Sequence, residues 1–298
     1  MTAGKFMTWQ VGAVRVTRVA ELAGIPFDSA YMFAQSTPQR VQRHSWLAPH
    51  FACADGRLLG SIHSFVIEAG KRRIIVDTGV GNDKSRRVRT WNRRQGPFLD
   101  DLAQAGYPAD SIDTVLCTHL HVDHVGWNTV LLDGRWAPTF RNARYVFGRR
   151  EWEHWRAEQA AQRADESMAD SVQPIVEAGM AELVDMNHAL TTEVWLEPTP
   201  GHTPGHVSVR ISSLGKDAVI TGDLIHHPLQ CAEPDLATNF DLDDDVARRT
   251  RHDFLARCAN RPTLVLGTHF APPTGGWVVD AGRAWRFDGA PAAFCDER

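Results

Sequence analysis

The stretch CTHLHVDHVGWN, residues 117–128, sets His119, His121, Asp123 and His124 within six positions. Imidazole and carboxylate together are ligands for zinc, and also for manganese, iron or cobalt. His119 and His121 are two apart, so in an extended segment both rings share one face and enter one site. Asp123 and His124 are adjacent and must diverge, which suits a second site beside the first. Closely spaced histidines repel once protonated and add little to packing, so the cluster points to metal binding. Four donors do not close two metal shells. Three later positions, each at the end of an expected strand, offer the rest: His202 in TPGHTPGH, Asp223 in ITGD and His269 in LGTH. A single histidine at a strand end is ordinarily a surface or hydrogen-bonded core residue, so the cluster is what gives these three a meaning.

Strands and helices that could position these donors interleave along the chain. Val11–Val19 alternates and reads as a strand. SIHSFVIEAGKRRIIVDTGVGND (61–83) reads as two strands with a turn at Gly70–Lys71, ending in Asp77-Thr78-Gly79. PFLDDLAQAG (97–106) reads as a helix stopped by Gly106, and IDTVLCTH as a buried strand that delivers the donor cluster. ARYVFG reads as a strand, Glu151–Glu166 as a polar helix, TEVWLEPTPGHTPGHVSVRI and DAVITGD as strand material, 246–260 as a helix and TLVLGTH as a last strand. Segments 25–60 and 150–185 are long and aromatic-bearing, the expected lids or inserts.

With 298 residues the chain can bury a large core, and its hydrophobic and charged fractions (43% and 23%) are those of an ordinary globular protein. The formal charge of −4 comes without a basic tail, which argues against a dedicated nucleic-acid partner. No apolar run approaches a membrane span, and the N-terminus lacks the apolar core of a signal peptide. Five scattered cysteines without CxxC spacing indicate neither a disulfide framework nor a thiolate zinc site, so a reduced, cytoplasmic protein is expected.

The HxHxDH pattern, followed in order by His202 in GHTPGH, Asp223 in TGD and His269 in GTH and preceded by IIVDTG (74–79), resembles the metallo-β-lactamase superfamily of metal-dependent hydrolases. The resemblance covers about residues 60–270. It implies an α/β (α+β) fold, a four-layer αβ/βα sandwich with metals at the edge between two sheets, and a single hydrolase domain over 1–298. It also implies two Zn2+ per chain, with Mn, Fe or Co as alternatives. His119, His121 and His202 would hold one metal, Asp123, His124 and His269 the other, and Asp223 would bridge ions about 3.5–4 Å apart.

The segment after Asp223, GDLIHHPLQCAEPDLATNFDLDDD from Gly222 onward, resembles the lactonase, arylesterase and organophosphate hydrolase branch. Quorum-quenching lactonases carry a substrate-contacting tyrosine three residues after the bridging aspartate, where this chain has His226. The implied reaction opens a lactone or cleaves a small carboxylic ester, with phosphotriesters as side substrates. Asp123 would move a proton and His226 would help stabilise the oxyanion. A glyoxalase II-like thioesterase and a non-catalytic ligand-binding member are the alternatives. The expected partner is a small-molecule ester or lactone, with no nucleic acid or membrane, and a homodimer is allowed.

Asp77 is expected to orient a ligand histidine. His206 and Cys117 read as structural, while His227 reads equally as solvent-facing or pocket wall. The basic run RRVRTWNRR (86–94) reads as a solvated loop or subunit contact, or as a field that steers an anionic substrate. The ten tryptophans read mostly as core; Trp46, Trp127 and Trp152 fall near expected site loops, with an apolar pocket wall as the alternative.

Overall fold

The computed structural model describes residues 6–289 and the backbone of Ala293–Phe294; Cys295 lies outside the described residues. The described residues form sixteen strands: β1 (Phe6–Val11), β2 (Val14–Phe27), β3 (Leu58–Ala69), β4 (Arg72–Val76), β5 (Thr114–Leu116), β6 (Thr129–Leu132), β7 (Arg135–Pro138), β8 (Arg144–Gly148), β9 (Ala181–Val184), β10 (Val194–Pro198), β11 (Val207–Ser213), β12 (Lys216–Ile220), β13 (Leu264–Leu266), β14 (Gly275–Asp280), β15 (Trp285–Gly289) and β16 (Ala293–Phe294). One sheet runs β16-β1-β2-β3-β4-β5-β8-β9 and the other β10-β11-β12-β13-β14-β15, while β6 and β7 form a separate hairpin. In the first sheet β4, β5, β8 and β9 are parallel neighbours. In the second, β12 and β13 are the parallel pair.

Both sheets are covered on both faces, which explains why their central strands read as continuous apolar runs. Along β4, Ile74 and Val76 enter the core between the sheets and Ile75 enters the outer one. Along β12, Ala218 and Ile220 point inward and Val219 outward. The outer core of the first sheet takes Phe98 and Leu102 from helix Phe98–Gln104, and Trp152 from helix Arg149–Ala160. That of the second takes Phe254 and Leu255 from helix Asp244–Cys258. Two inner sheets with helices on both outer faces make the expected four-layer αβ/βα sandwich. No helix among the described residues is long and apolar enough to cross a membrane.

Several boundaries differ from those expected on sequence grounds. Val11–Val19 is a hairpin, not one strand: Gly12 turns the chain at φ 60°, where a Cβ would meet the Ser213 carbonyl oxygen at 2.1 Å. The buried positions change phase at the turn, from Val11 to Val14 and Val16, a shift that a run of small and β-branched residues masks. The helix expected over 151–166 runs Arg149–Ala160 and gives way where Gln162 takes φ 59°. The last long helix starts at Asp244 because the Asp243 side chain accepts from the Val246 N–H, with Asp244 and Asp245 in the first turn.

The segment 25–60 is not simply an appended lid. Its ends belong to β2 and β3, and Phe33, Val41, Leu47 and Phe51 pack into the outer core of the second sheet. Within 150–185, β9 is the edge strand of the first sheet, a short mixed sequence (AELV) too brief to show a period.

Candidate metal centre

The donor loop leaves β5 at its carboxyl end and is stitched to the loop after β4. Thr78 N–H donates to the His124 carbonyl (2.7 Å), Gly126 N–H to Gly79 (2.7 Å) and Trp127 N–H to Thr78 (2.9 Å). Gly126 is required by this approach, since a Cβ there would lie 2.0 Å from the Val80 carbonyl. Asp77, at φ 55°, is locked beneath the loop by Thr118, whose N–H donates to Oδ1 at 2.8 Å and whose hydroxyl donates to Oδ2 at 2.9 Å. Asp77 Oδ2 then accepts from His124 Nδ1 at 3.0 Å. The expected orienting role of Asp77 has a geometric counterpart here.

All seven donors picked from the sequence converge. His119 Nε2 lies 3.0 Å from His121 Nδ1, which lies 2.8 Å from His202 Nε2. Asp123, His124 and His269 form a second group, with donor atoms within 4.8 Å of one another. Asp223 stands between them. Its Oδ2 faces His202 (3.4 Å) and His119 (3.7 Å), and its Oδ1 faces His269 (3.1 Å) and His124 (3.4 Å). His119, His124, His202, Asp223 and His269 are buried, whereas His121 and Asp123 are half-buried and mark the open side.

Which nitrogen faces the centre is decided by what holds the other. His124 Nδ1 donates to Asp77, His202 Nδ1 to Asp241 Oδ1 (3.0 Å) and His269 Nδ1 to the Ser61 carbonyl (3.0 Å). His119 Nδ1 is 3.1 Å from the Thr118 hydroxyl, which already donates to Asp77 and so accepts here. Each Nε2 lone pair is thereby turned inward.

Lone pairs this close repel unless positive charge lies among them. Burial, then His124, hold His119 well below the ordinary histidine value; burial, then His202, do the same for His121. Burial opposes charge on His124 and His269 too, but Asp223 and neighbouring carboxylates outweigh it, raising His124 well above its ordinary value and His269 to about 9. Burial alone would push the Asp223 carboxyl up, yet His124 and the other imidazoles hold it well below the carboxylate range. Asp223 Oδ1 and both ring nitrogens of His226 are buried and make no well-aligned hydrogen bond, close as Asp223 lies to His269 and His226. Convergent imidazoles, carboxylates that draw in positive charge and a buried carboxylate oxygen without a well-aligned hydrogen bond fit divalent cations.

His226 Nε2 is 3.0 Å from Asp223 Oδ2 and its ring centroid 4.7 Å from that of His202. His227 points away into the outer core, donating from Nε2 to the Phe51 carbonyl (2.8 Å) and accepting at Nδ1 from the Leu229 N–H (3.0 Å). His206 is structural: its Nε2 accepts from the Asp223 N–H (2.8 Å) and its Nδ1 donates to the Thr199 carbonyl (3.0 Å). Burial pulls it down to about 3. Cys117 is buried core, as expected.

The three tryptophans follow the general expectation of core positions and do not line a pocket at the donors. Trp127 stacks on Phe98 with centroids 5.6 Å apart and donates to Glu21, and Trp152 is core. Trp46 packs at the edge of the second sheet's outer core. Trp155, one helical turn after Glu151, sits 5.2 Å from the His121 ring instead. The basic run is partly structural: Arg86 makes a bidentate pair with Asp170 (2.6 and 3.0 Å), and Arg94 donates to the Glu21 carbonyl.

Two carboxylates bear on the site with no signal in the sequence. Asp241 holds His202. Glu151 ties the two donor loops together, accepting from Leu120 N–H (3.2 Å) and Trp155 Nε1 (2.6 Å) at one oxygen, and from the Thr203 hydroxyl (2.8 Å) and Gly205 N–H (3.0 Å) at the other. Each is a lone acid without motif spacing, so nothing local marks it out.

Comparison with known proteins agrees with this architecture. Residues 57–285 match the model of the metallo-beta-lactamase superfamily. An N-acyl homoserine lactonase of Bacillus thuringiensis is 24% identical over 182 residues, 57% of this chain and 66% of its own length; the chain thus spans just under two thirds of that relative. Among solved structures, the hydrolase AbOPH superposes with TM-score 0.80 at 24% identity, covering 98% of this chain and 99% of that one. AidC, a dizinc quorum-quenching lactonase in complex with a product, superposes with TM-score 0.78 at 22% identity, covering 97% and 98%. At such identities the superpositions speak for the fold, while the family match spans most of the chain. The chain belongs to the metallo-β-lactamase superfamily.

Proposed function

We propose that this protein is a dinuclear metal-dependent hydrolase that opens lactones or cleaves small, neutral carboxylic esters, with phosphotriesters as secondary substrates. The observation that carries the reading is the division of Asp223, one oxygen toward each histidine group. His119, His121 and His202 are assigned to one ion, Asp123, His124 and His269 to the other, and Asp223 to both. Two zinc ions are proposed, with Mn, Fe or Co as substitutes. When bound, such ions supply Lewis acidity and a water acidic enough to attack near neutral pH.

The remaining work falls to the chain. Asp77, Asp241 and the Ser61 carbonyl fix the rings of His124, His202 and His269 so that the site is formed before substrate arrives. Asp123, half-buried on the open side, is placed to pass a proton to the leaving oxygen. His226 stands beside Asp223 with its charged form disfavoured by burial, so a neutral ring can offer an N–H to the carbonyl oxygen as charge develops there.

A thioesterase for an anionic thiol carrier finds less support. Of the five arginines in the 86–94 run, Arg86 is committed to Asp170 and Arg94 to Glu21. A binding protein without turnover has no need of so complete a donor set. The test is proton release on a panel of acyl-homoserine lactones, γ- and δ-lactones, aryl esters, a phosphotriester and a glutathione thioester, with metal-stripped protein as control. Metal-dependent turnover greatest on lactones or esters is expected. Preference for the thioester, or stoichiometric binding without product, contradicts the proposal.

A further inference from the structure

We infer that Tyr31, paired with Phe240 and flanked by Leu242, forms an apolar rim that selects substrates by their aliphatic acyl chain; this rests on the hydrolase reading above. Tyr31 is 50% exposed, Phe240 40% and Leu242 51%, three of the seven large apolar side chains that the described residues leave in solvent. They come from segments some two hundred residues apart, yet the Tyr31 and Phe240 rings meet edge-on at 5.7 Å.

The pairing is built rather than incidental. Asn239, next to Phe240, clamps the segment around Tyr31: its N–H donates to Met32 O (2.8 Å), its amide to Ala30 O (3.0 Å) and Tyr31 O (2.9 Å), and its carbonyl oxygen accepts from Ala34 N–H (3.1 Å). The Asp28 side chain caps the same turn through Ala30 N–H. On the other side, Phe240 and Leu242 bracket Asp241, which holds His202, and the Leu242 N–H donates to the His202 carbonyl (3.0 Å). The rim is therefore continuous with one histidine group. Its phenol also feels the other group: burial, and then the negative charge of Asp123, push the Tyr31 hydroxyl above its ordinary value.

A surface that is apolar, built from two aromatic rings and joined to His202 through Asp241 and Leu242 favours an aliphatic chain. Burying a methylene against it is worth roughly a fourfold gain in kcat/KM per carbon. A hydroxyl contribution and a ring contribution are separable. Tyr31→Phe keeps the ring, whereas Tyr31→Ala with Phe240→Ala removes both aromatic faces from positions that are already solvent-exposed.

The experiment measures kcat/KM on p-nitrophenyl acetate, butyrate and hexanoate with metal-loaded wild type, Tyr31→Phe, the Tyr31→Ala/Phe240→Ala double variant and Leu214→Ser. Leu214 is 82% exposed in the turn between β11 and β12 and serves as a control for lost surface apolarity. A parallel calorimetric titration measures binding of butyrate and hexanoate to the same proteins, independent of turnover. The expected result is a hexanoate-to-acetate ratio on the order of a hundredfold in wild type, kept by Tyr31→Phe and Leu214→Ser. The double variant should lose most of that ratio, and the preference for hexanoate over butyrate in binding. An unchanged ratio in the double variant overturns the inference while leaving the hydrolase reading intact. No turnover by any protein defeats that reading, and the carboxylate titration then decides the rim by itself. A double variant that changes from dimer to monomer in sedimentation, with its chain-length preference unaltered, makes the rim a subunit contact and also overturns the inference.

Discussion

Asp241→Asn is the most searching substitution the site offers, because Asp241 uses both oxygens as acceptors. Oδ1 accepts from His202 Nδ1 at 3.0 Å and Oδ2 from the Thr238 N–H at 3.1 Å. The side chain is held below the ordinary carboxylate value; burial pushes it up, but its hydrogen bond from His202 and nearby charges prevail. Asparagine has one acceptor oxygen and one NH2 group, so it can serve only one of these donors. The oxygen can keep His202 only by setting the NH2 against the Thr238 N–H; if it keeps Thr238 instead, the NH2 faces the N–H of His202, which must rotate or move its proton to Nε2. Either response spoils the lone pair offered to the centre. Loss of such a supporting hydrogen bond costs about 10–100-fold in metal affinity, or about 1.4–2.7 kcal/mol. The assay is a chelator-competition titration that resolves two binding events, with circular dichroism confirming the fold. The weaker event should be the one that His202 serves, the other staying within a few-fold of wild type. Two affinities both within twofold of wild type, in a folded variant, refute the reasoning.

Further consequences concern other parts of the molecule. Burial holds His227 down to about 4, below its ordinary 6.5, so its neutral form favours the folded state. That stability is complete above pH 6.5 and is lost as pH falls toward 4, by about 2 kcal/mol at pH 5. Urea unfolding at pH 7 and pH 5 should therefore show wild type losing about 2 kcal/mol more than His227→Gln; equal losses contradict the assignment. Asp170 is the shared partner of Arg86 (2.6 Å) and of buried Lys84 (3.7 Å), so Asp170→Ala leaves the buried Arg86 guanidinium without its carboxylate, while Lys84 keeps the Thr129 hydroxyl and the Trp136 ring. It should cost about 3–5 kcal/mol in chemical denaturation, and a loss below about 1 kcal/mol argues that the pair is solvated. His226→Phe should retain two metals by elemental analysis and lower kcat on esters by about 10²-fold. Unchanged turnover removes His226 from the mechanism, and lost metal gives it a different role.

The site is legible in the sequence largely because its donors are dense and ordered. The cluster His119–His124 is a local pattern, and His202, Asp223 and His269 come after strands whose apolar runs end where the donors begin. Spacing cannot show anything that depends on tertiary approach. Asp241 reaches His202 across 39 positions, and Glu151 spans two loops at once. Trp152 is the reasonable choice on its helix, yet the ring that meets His121 belongs to Trp155, because the helix turns Trp152 into the core. The arginine run looks like one electrostatic feature, but Asp170 and Glu21 divide it into buried partners and exposed residues. Val11–Val19 conceals a hairpin because the only marks of the Gly12 reversal are one glycine and a one-residue phase shift, from Val11 to Val14 and Val16, within an otherwise apolar run.

The central claim, that Asp223 joins two histidine groups into one two-metal centre, is tested most directly by metal stoichiometry. Wild type and Asp223→Ala are stripped, reloaded with zinc, freed of excess and analysed for bound metal, with folding confirmed by circular dichroism. The account predicts two zinc ions per chain in wild type, and fewer than one in Asp223→Ala together with loss of ester hydrolysis. A folded wild type that holds no metal, or a folded variant that keeps both ions, contradicts it.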